Sequence, residues 1–119
     1  MAAPNIVQAT SMYGKTAVQA VTTSATAIVT NSASSGKVLK INTLIVANVD
    51  ASNAAAITVD VYRGSTAYRI AKSISIPVAS ALTPIDKTTM IYLEEGDSLR
   101  LTAALNNYLE AVCSYEEIS

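Results

Sequence analysis

The sequence predicts an all-β chain: an antiparallel two-sheet β-sandwich of jelly-roll-like form over residues 16–119, preceded by an extended N-terminal arm over residues 1–15. Three observations predict it. Short segments rich in Val, Ile and Thr alternate apolar with small polar residues at a period of two, which puts one set of side chains on each face of a strand. Turn-forming Gly, Asn, Asp, Ser and Pro recur between those segments. Interruptions by β-branched residues, Ser and Gly come too often to leave a helical stripe of ordinary length. The 119 residues suit one domain and leave no room for two. Turn signals at this spacing favour about eight strands in a sandwich over a parallel α/β sheet, and no strict repeat points to a propeller or solenoid.

The first fifteen residues contain Pro4, small polar residues and Gly14 without a sustained period, so they read as an arm that either adds to a neighbouring subunit or frays. Thr16 to Val21 and Ala25 to Thr30 are short β-branched strands, and Asn31 to Gly36 is a turn. Lys37 to Val49 is the longest apolar segment. Its centre, with Leu44, Ile45 and Val46 in succession, is hydrophobic on both faces, which predicts a central strand covered on both sides. Asp50 to Ala55 is a loop. Ile57, Val59 and Val61 alternate with Thr58, Asp60 and Tyr62 in the cleanest half-buried strand.

Arg63-Gly64-Ser65 reverses the chain, and Tyr68 to Ile76 returns with Ile70, Ile74 and Ile76 on one face and Arg69, Ser73 and Ser75 on the other. Lys72 interrupts the apolar face and suits an edge or rim. Pro77 and Pro84 bracket a connection crossing between sheets, continued by Asp86 and Lys87, because proline removes ladder donors. Thr89 to Leu93 is a strand, Glu94 to Asp97 a turn, and Leu99 and Leu101 are the inner residues of the next strand. After the Asn106-Asn107 turn, Tyr108 to Tyr115 closes the fold ahead of a polar end. Leu109, Ala111, Cys113 and Tyr115 share one face of that strand.

Composition excludes more function than it assigns. There is no histidine, which removes the side chain most used for proton transfer near neutral pH and the commonest nitrogen ligand of metals. With Phe and Trp also absent, the six tyrosines are the only large rings; the core is thin and invites support from neighbouring subunits. Eight Lys plus Arg against nine Asp plus Glu, without a basic run, argue against nucleic-acid binding. The single cysteine, Cys113, permits neither an intrachain disulfide nor a cysteine zinc site and reads as a buried thiol. The opening residues Met1 to Asn5 resemble neither a signal peptide nor a membrane anchor, so the chain is expected to be made in a cytoplasm, with no membrane partner.

The groups that could carry chemistry are weak. Glu94, Glu95 and Asp97 offer oxygen ligands in one turn, but not at EF-hand spacing, and a solvated reverse turn around Gly96 explains them as well. No serine has a nucleophile-elbow motif, and four glycines supply neither a dinucleotide fingerprint nor a phosphate loop. No enzyme, metal or cofactor is expected. Arg63-Gly64-Ser65 and Tyr68-Arg69 are a possible recognition loop that an ordinary hairpin tip also explains.

From Met90 to Leu101 the chain reads M-I-Y-L-E-E-G-D-S-L-R-L, a strand ending in Tyr-Leu, an acidic Gly-Asp turn and a strand of alternating leucines. Similar units occur in jelly-roll trimer modules. With Val49-Asp50, Asp60-Val61-Tyr62, Ser65-Thr66-Ala67-Tyr68 and Ser114 to Ile118, the chain over residues 16–119 resembles the small virion structural proteins of tailed bacteriophages. That resemblance implies a capsid decoration or cement protein in the virion, often trimeric, whose partners are the major capsid protein or other virion proteins. It also leaves open a neck, tail or fibre-associated position. Tyr62, Tyr68, Tyr92 and Tyr108 are candidate subunit-interface anchors, together with Leu44 and Val46 of the doubly apolar strand. A glycan- or receptor-binding sandwich is the other reading, and it predicts Tyr68 and the Asn106-Asn107 turn together at one open face.

Overall fold

The computed structural model describes residues 4–119. The expected arm falls partly on residues 1–3, outside the described residues. The rest of it is structured: Asn5 caps a single 3-10 turn at Ile6–Gln8, its side chain accepting from the Val7 N–H at 3.0 Å. Thr10 and Ser11 then donate their N–H groups to the Ser119 carbonyl at 2.8 and 2.9 Å. Nine strands follow: β1 (Met12–Ala20), β2 (Thr26–Thr30), β3 (Val38–Asn48), β4 (Ala55–Arg63), β5 (Thr66–Ile76), β6 (Ala81–Ile85), β7 (Ile91–Leu93), β8 (Ser98–Ala103) and β9 (Leu109–Ile118). β1 starts within the segment assigned to the arm, because Met12 to Lys15 find ladder partners in Ile118 to Tyr115 of β9.

The strands form two antiparallel sheets, a five-stranded one in the order β1-β9-β3-β6, with β7 also on β3, and a four-stranded one in the order β2-β8-β4-β5. β6 pairs Leu44 to Ala47 and β7 pairs Leu39 to Ile41, so the two lie end to end along one side of β3 and share a single strand position. Nine strands thus fill eight places. Apart from the β4–β5 hairpin and the step from β6 to β7, every connection crosses between sheets, which is the jelly-roll arrangement. The hairpin turns on Gly64 (φ +58°) and Ser65 (φ +62°), the two positive φ values that a type I′ turn needs to match strand twist.

Two expectations are corrected. The segment between the prolines is not only a connection: Ala81–Ile85 is a strand containing Pro84. A proline is tolerated there because β6 edges its sheet and its ladder to β3 is already broken by a register shift between Leu44 and Val46. Second, β3 is central, but this chain covers only one of its faces, so the expected second cover is not a sheet of the same subunit. Its pairing with β9 shifts between Ile41 and Thr43, so the inward set runs Leu39, Ile41, then Leu44, Val46 and Asn48. The bulge moves the apolar series from odd to even positions, and a strand with one buried face reads as hydrophobic on both. Ile45, on the outer face, is 41% exposed.

The core joins these β3 residues to Ile57 and Val59 of β4, Leu99 and Leu101 of β8, and Leu109, Ala111 and Cys113 of β9, all essentially without exposure. Each buried Leu or Ile contributes about 1.5–3 kcal/mol relative to leaving it in water. Asn31 is a buried polar joint at one end of the sandwich. Its Nδ2 donates to the Lys37 and Leu93 carbonyls at 2.9 and 3.0 Å, and its Oδ1 accepts from Ser35 Oγ at 2.6 Å. Asn48 is the counterpart at the other end, donating to the Asn53 and Ile76 carbonyls at 2.9 and 3.0 Å.

Candidate functional site

The six candidate interface residues do not form one surface. Leu44 and Val46 lie in the core with no exposure, so a neighbour resting on β3 would meet Ile45 and Ala47 instead. Tyr62 is on the outer face of the four-stranded sheet, under the Arg100 guanidinium, whose carbon lies 4.0 Å from the ring centroid. Arg100 is held there by Asp60, with Nε to Oδ1 at 2.9 Å. Tyr108 packs partly against the core and accepts from Asn53 Nδ2 at 3.4 Å. Tyr68 and Tyr92 do come together.

These two tyrosines line a groove of about 390 Å³ with Val61, Ile70, Ile91 and Arg63. Tyr68 stands opposite Val61 on the β4–β5 ladder and so projects on the same side of the sheet. β5 is the edge strand, so the ring stays 59% exposed. Ile70 joins it through a bulge: Val59 pairs Ala71 and Asp60 pairs Arg69, leaving Ile70 as the extra residue. The opposite wall, Ile91 and Tyr92, comes from β7 at the edge of the five-stranded sheet. As the Tyr68-to-Ile76 alternation predicts, Ile74 and Ile76 share one face, opposite inward Ile57 and Ala55, and Ile70 lies on the same side as Tyr68; Ile70 and Ile74 are nevertheless more than one third exposed, because β5 is an edge strand with no strand beyond it.

Arg63 bounds the polar end of the groove. Its Nε donates to Asp97 Oδ1 at 2.8 Å and its Nη2 reaches Asp97 Oδ2 at 2.5 Å and Glu94 Oε2 at 2.8 Å. The hydrogen bond from Arg63 holds the Asp97 carboxyl below the usual carboxylate range, against the opposing effect of burial, and the N–H of Glu94 adds to the lowering. Gly96 (φ +89°) makes the turn that brings Asp97 N–H to the Glu94 carbonyl at 3.0 Å. Glu95 accepts from the Gly36 N–H at 2.8 Å. The acidic turn is therefore committed to one arginine and the backbone, and among the described residues no group of three or more His, Cys, Asp or Glu is placed to hold a metal ion.

A second charged cluster is similarly engaged. Glu117 takes both Lys15 and Lys37 at 2.5 Å, and those bonds lower its pKa, Lys15 contributing most. Burial pushes the Cys113 thiol up to about 12, which keeps it protonated and a poor nucleophile near neutral pH. Sequence reasoning missed an outer row in which Val18, Val112 and Ile45 stand side by side across β1, β9 and β3. The signal was present, because these residues occupy positions alternate to the inward Ala17, Cys113 and Leu44. Tyr68 and the Asn106-Asn107 turn lie at opposite ends of β4: Tyr68 pairs Val61, whereas Ala104, beside the turn, donates its N–H to the Ala56 carbonyl. The clustering that a glycan-binding face predicts is not formed.

The arrangement offers a firm, concave apolar contact with a polar rim, suited to receiving a side chain or a chain segment. The fold and this surface define a nine-strand jelly-roll sandwich. No family model matches the chain, no curated protein matches it, and no solved structure matches it. Among the described residues no helix is long and apolar enough to cross a membrane.

Proposed function

We propose that this chain is a structural virion protein of a tailed bacteriophage, a capsid decoration or cement protein that acts without catalysis as a homo-oligomer bridging capsid subunits. The observation that carries the reading is the groove. Tyr68, Tyr92, Ile70 and Ile91 are gathered on a rigid sandwich, while the buried carboxylates of Asp60 and Asp97 are spent on internal arginine contacts. A surface of this kind binds by complementarity. Aromatic anchors at the centre of an interface carry much of its energy, and separating the partners would expose them to water again. The resemblance of residues 16–119 to small phage virion proteins supplies the partner, the major capsid protein.

Locating the chain in purified particles tests the reading. A copy number on the order of hundreds per particle, at capsomer joints, is expected of a cement protein. Recovery only from a neck or tail fraction, at a small multiple, would replace it with the neck, tail or fibre-associated alternative. Tyr68→Ala with Tyr92→Ala should leave the isolated fold intact and release the protein from particles. Retention of that double variant at full occupancy would remove the groove from the contact.

A further inference from the structure

The sandwich has four strand edges, and three are protected against pairing with another chain. β2 is five residues long and carries a register shift. β5 has two register shifts and the charged Arg69 and Lys72. The β6/β7 edge contains Pro84 and is broken between Ile85 and Ile91. Short length, bulges, charge and proline are the usual devices that blunt an edge. β1 has none of them: its nine residues pair with β9 in unbroken register, contain no proline, and carry one charge, Lys15, already paired with Glu117.

We propose that β1 is a self-association strand, and that two copies of this chain pair antiparallel along it across a two-fold axis at Thr16, joining their five-stranded sheets into one. A second copy is the occupant because, among the described residues, its own β1 is the one unblocked edge it can offer. The register follows from the side chains. Centred on Thr16, all nine residues find partners, and each Lys15 faces Ala17 of the second copy, so like charges are not opposed. Val18 faces Gly14, a position where a Cβ would meet nothing within the single chain and where no positive φ requires glycine. Glycine in a strand commonly marks the close approach of another backbone.

Gln19 adds an independent observation. Its Nε2 donates to the Ala27 carbonyl at 3.0 Å, but its Oε1 is buried with no donor in the single chain. Buried acceptors rarely go unpaired. In this register Gln19 stands opposite Tyr13 of the second copy, a 61% exposed residue whose phenol is a donor for that oxygen. The Val18–Val112–Ile45 row then continues across the axis as one outer face. This pairing does not depend on a place in the virion, and it gives a dimer, not the trimer that the family resemblance implies.

The test uses the full chain in solution. Sedimentation equilibrium should give twice the 12.4 kDa chain mass; a monomer or a trimer overturns the proposal. Under mild oxidation Thr16→Cys should form a disulfide-linked dimer, since directly paired strand residues have the Cα spacing that a disulfide needs. Val18→Cys, which faces Gly14, should not. Both positions are exposed, so circular dichroism should show both variants folded. Failure of Thr16→Cys to cross-link, or equal cross-linking by Val18→Cys, overturns the register. Tyr13→Phe should weaken the dimer by about thirty-fold, the loss of two symmetry-related hydrogen bonds; an unchanged dissociation constant removes the Gln19 argument. Binding to capsids is a separate measurement, so loss of one reading leaves the other standing.

Discussion

Replacing Asn31 with alanine should destabilise the sandwich through the end that positions the groove. The side chain holds the Leu93 carbonyl at the end of β7 and the Lys37 carbonyl ahead of β3, while its backbone N–H and carbonyl bond Asp97 and Gly96 of the acidic turn. Alanine leaves the backbone bonds in place and strands the two carbonyls. The Leu93 carbonyl belongs to a residue with no exposure, and leaving it unpaired costs about 1–3 kcal/mol. The Lys37 carbonyl is less buried and adds about 1 kcal/mol. The expected loss is about 3 kcal/mol, a large share of the roughly 5–15 kcal/mol that holds a domain folded. Equilibrium urea unfolding measures it as a lower midpoint at unchanged slope. Asn106→Ala is the comparison: Asn106 is exposed and accepts one bond, from the Thr23 N–H at 2.9 Å, so about 1 kcal/mol is expected. If Asn31→Ala cost no more than Asn106→Ala, the account of Asn31 as the joint between sheets would be wrong.

Further outcomes follow from the same contacts. Asp97 and Glu117 have folded pKa values held below their unfolded ones, so their contribution is fully present above the unfolded values and is lost as pH falls through the folded ones. The urea midpoint should therefore stay level between neutrality and about pH 5 and decline below about pH 4. Asp97→Asn should flatten that acid limb, and an identical limb in the variant would show that Asp97 does not drive it. Leu44→Ala should cost about 2–5 kcal/mol, whereas Ile45→Thr, one position along, should stay within about 1 kcal/mol. Equal losses in thermal unfolding would contradict the bulge-shifted phase of β3. Cys113 should resist thiol reagents at pH 8 while folded and react promptly in denaturant; rapid labelling of the native protein would contradict its burial.

Residues whose role rests on local alternation were legible. Ile57 and Val59 are buried and Thr58 between them is not, and Leu109, Ala111 and Cys113 line the inner face of β9, as their spacing predicts. Glycine and serine at the β4–β5 turn likewise reveal the hairpin, because positive φ is a local demand. Where a bulge intervenes, periodicity misleads. One extra residue reverses the phase in β3, so Leu44 and Val46 read as candidate interface residues although they are core, and alternation places Ile70 on the inner side without showing that the edge position of β5 leaves it lining an open groove.

The sequence by itself determined the class of the fold, the positions of most turns and the scarcity of catalytic equipment, since each depends on residue type and near neighbours. Tertiary structure alone decided which tyrosines meet, that Asn31 and Asn48 pin the two ends, and that β1 is the unguarded edge. Those depend on placements such as Tyr68 and Tyr92 lining one groove from the two sheets, and on contacts such as Asn31 with Leu93, which are distant in sequence. Pairing between remote strands sets them, and no pattern within one strand specifies its partner.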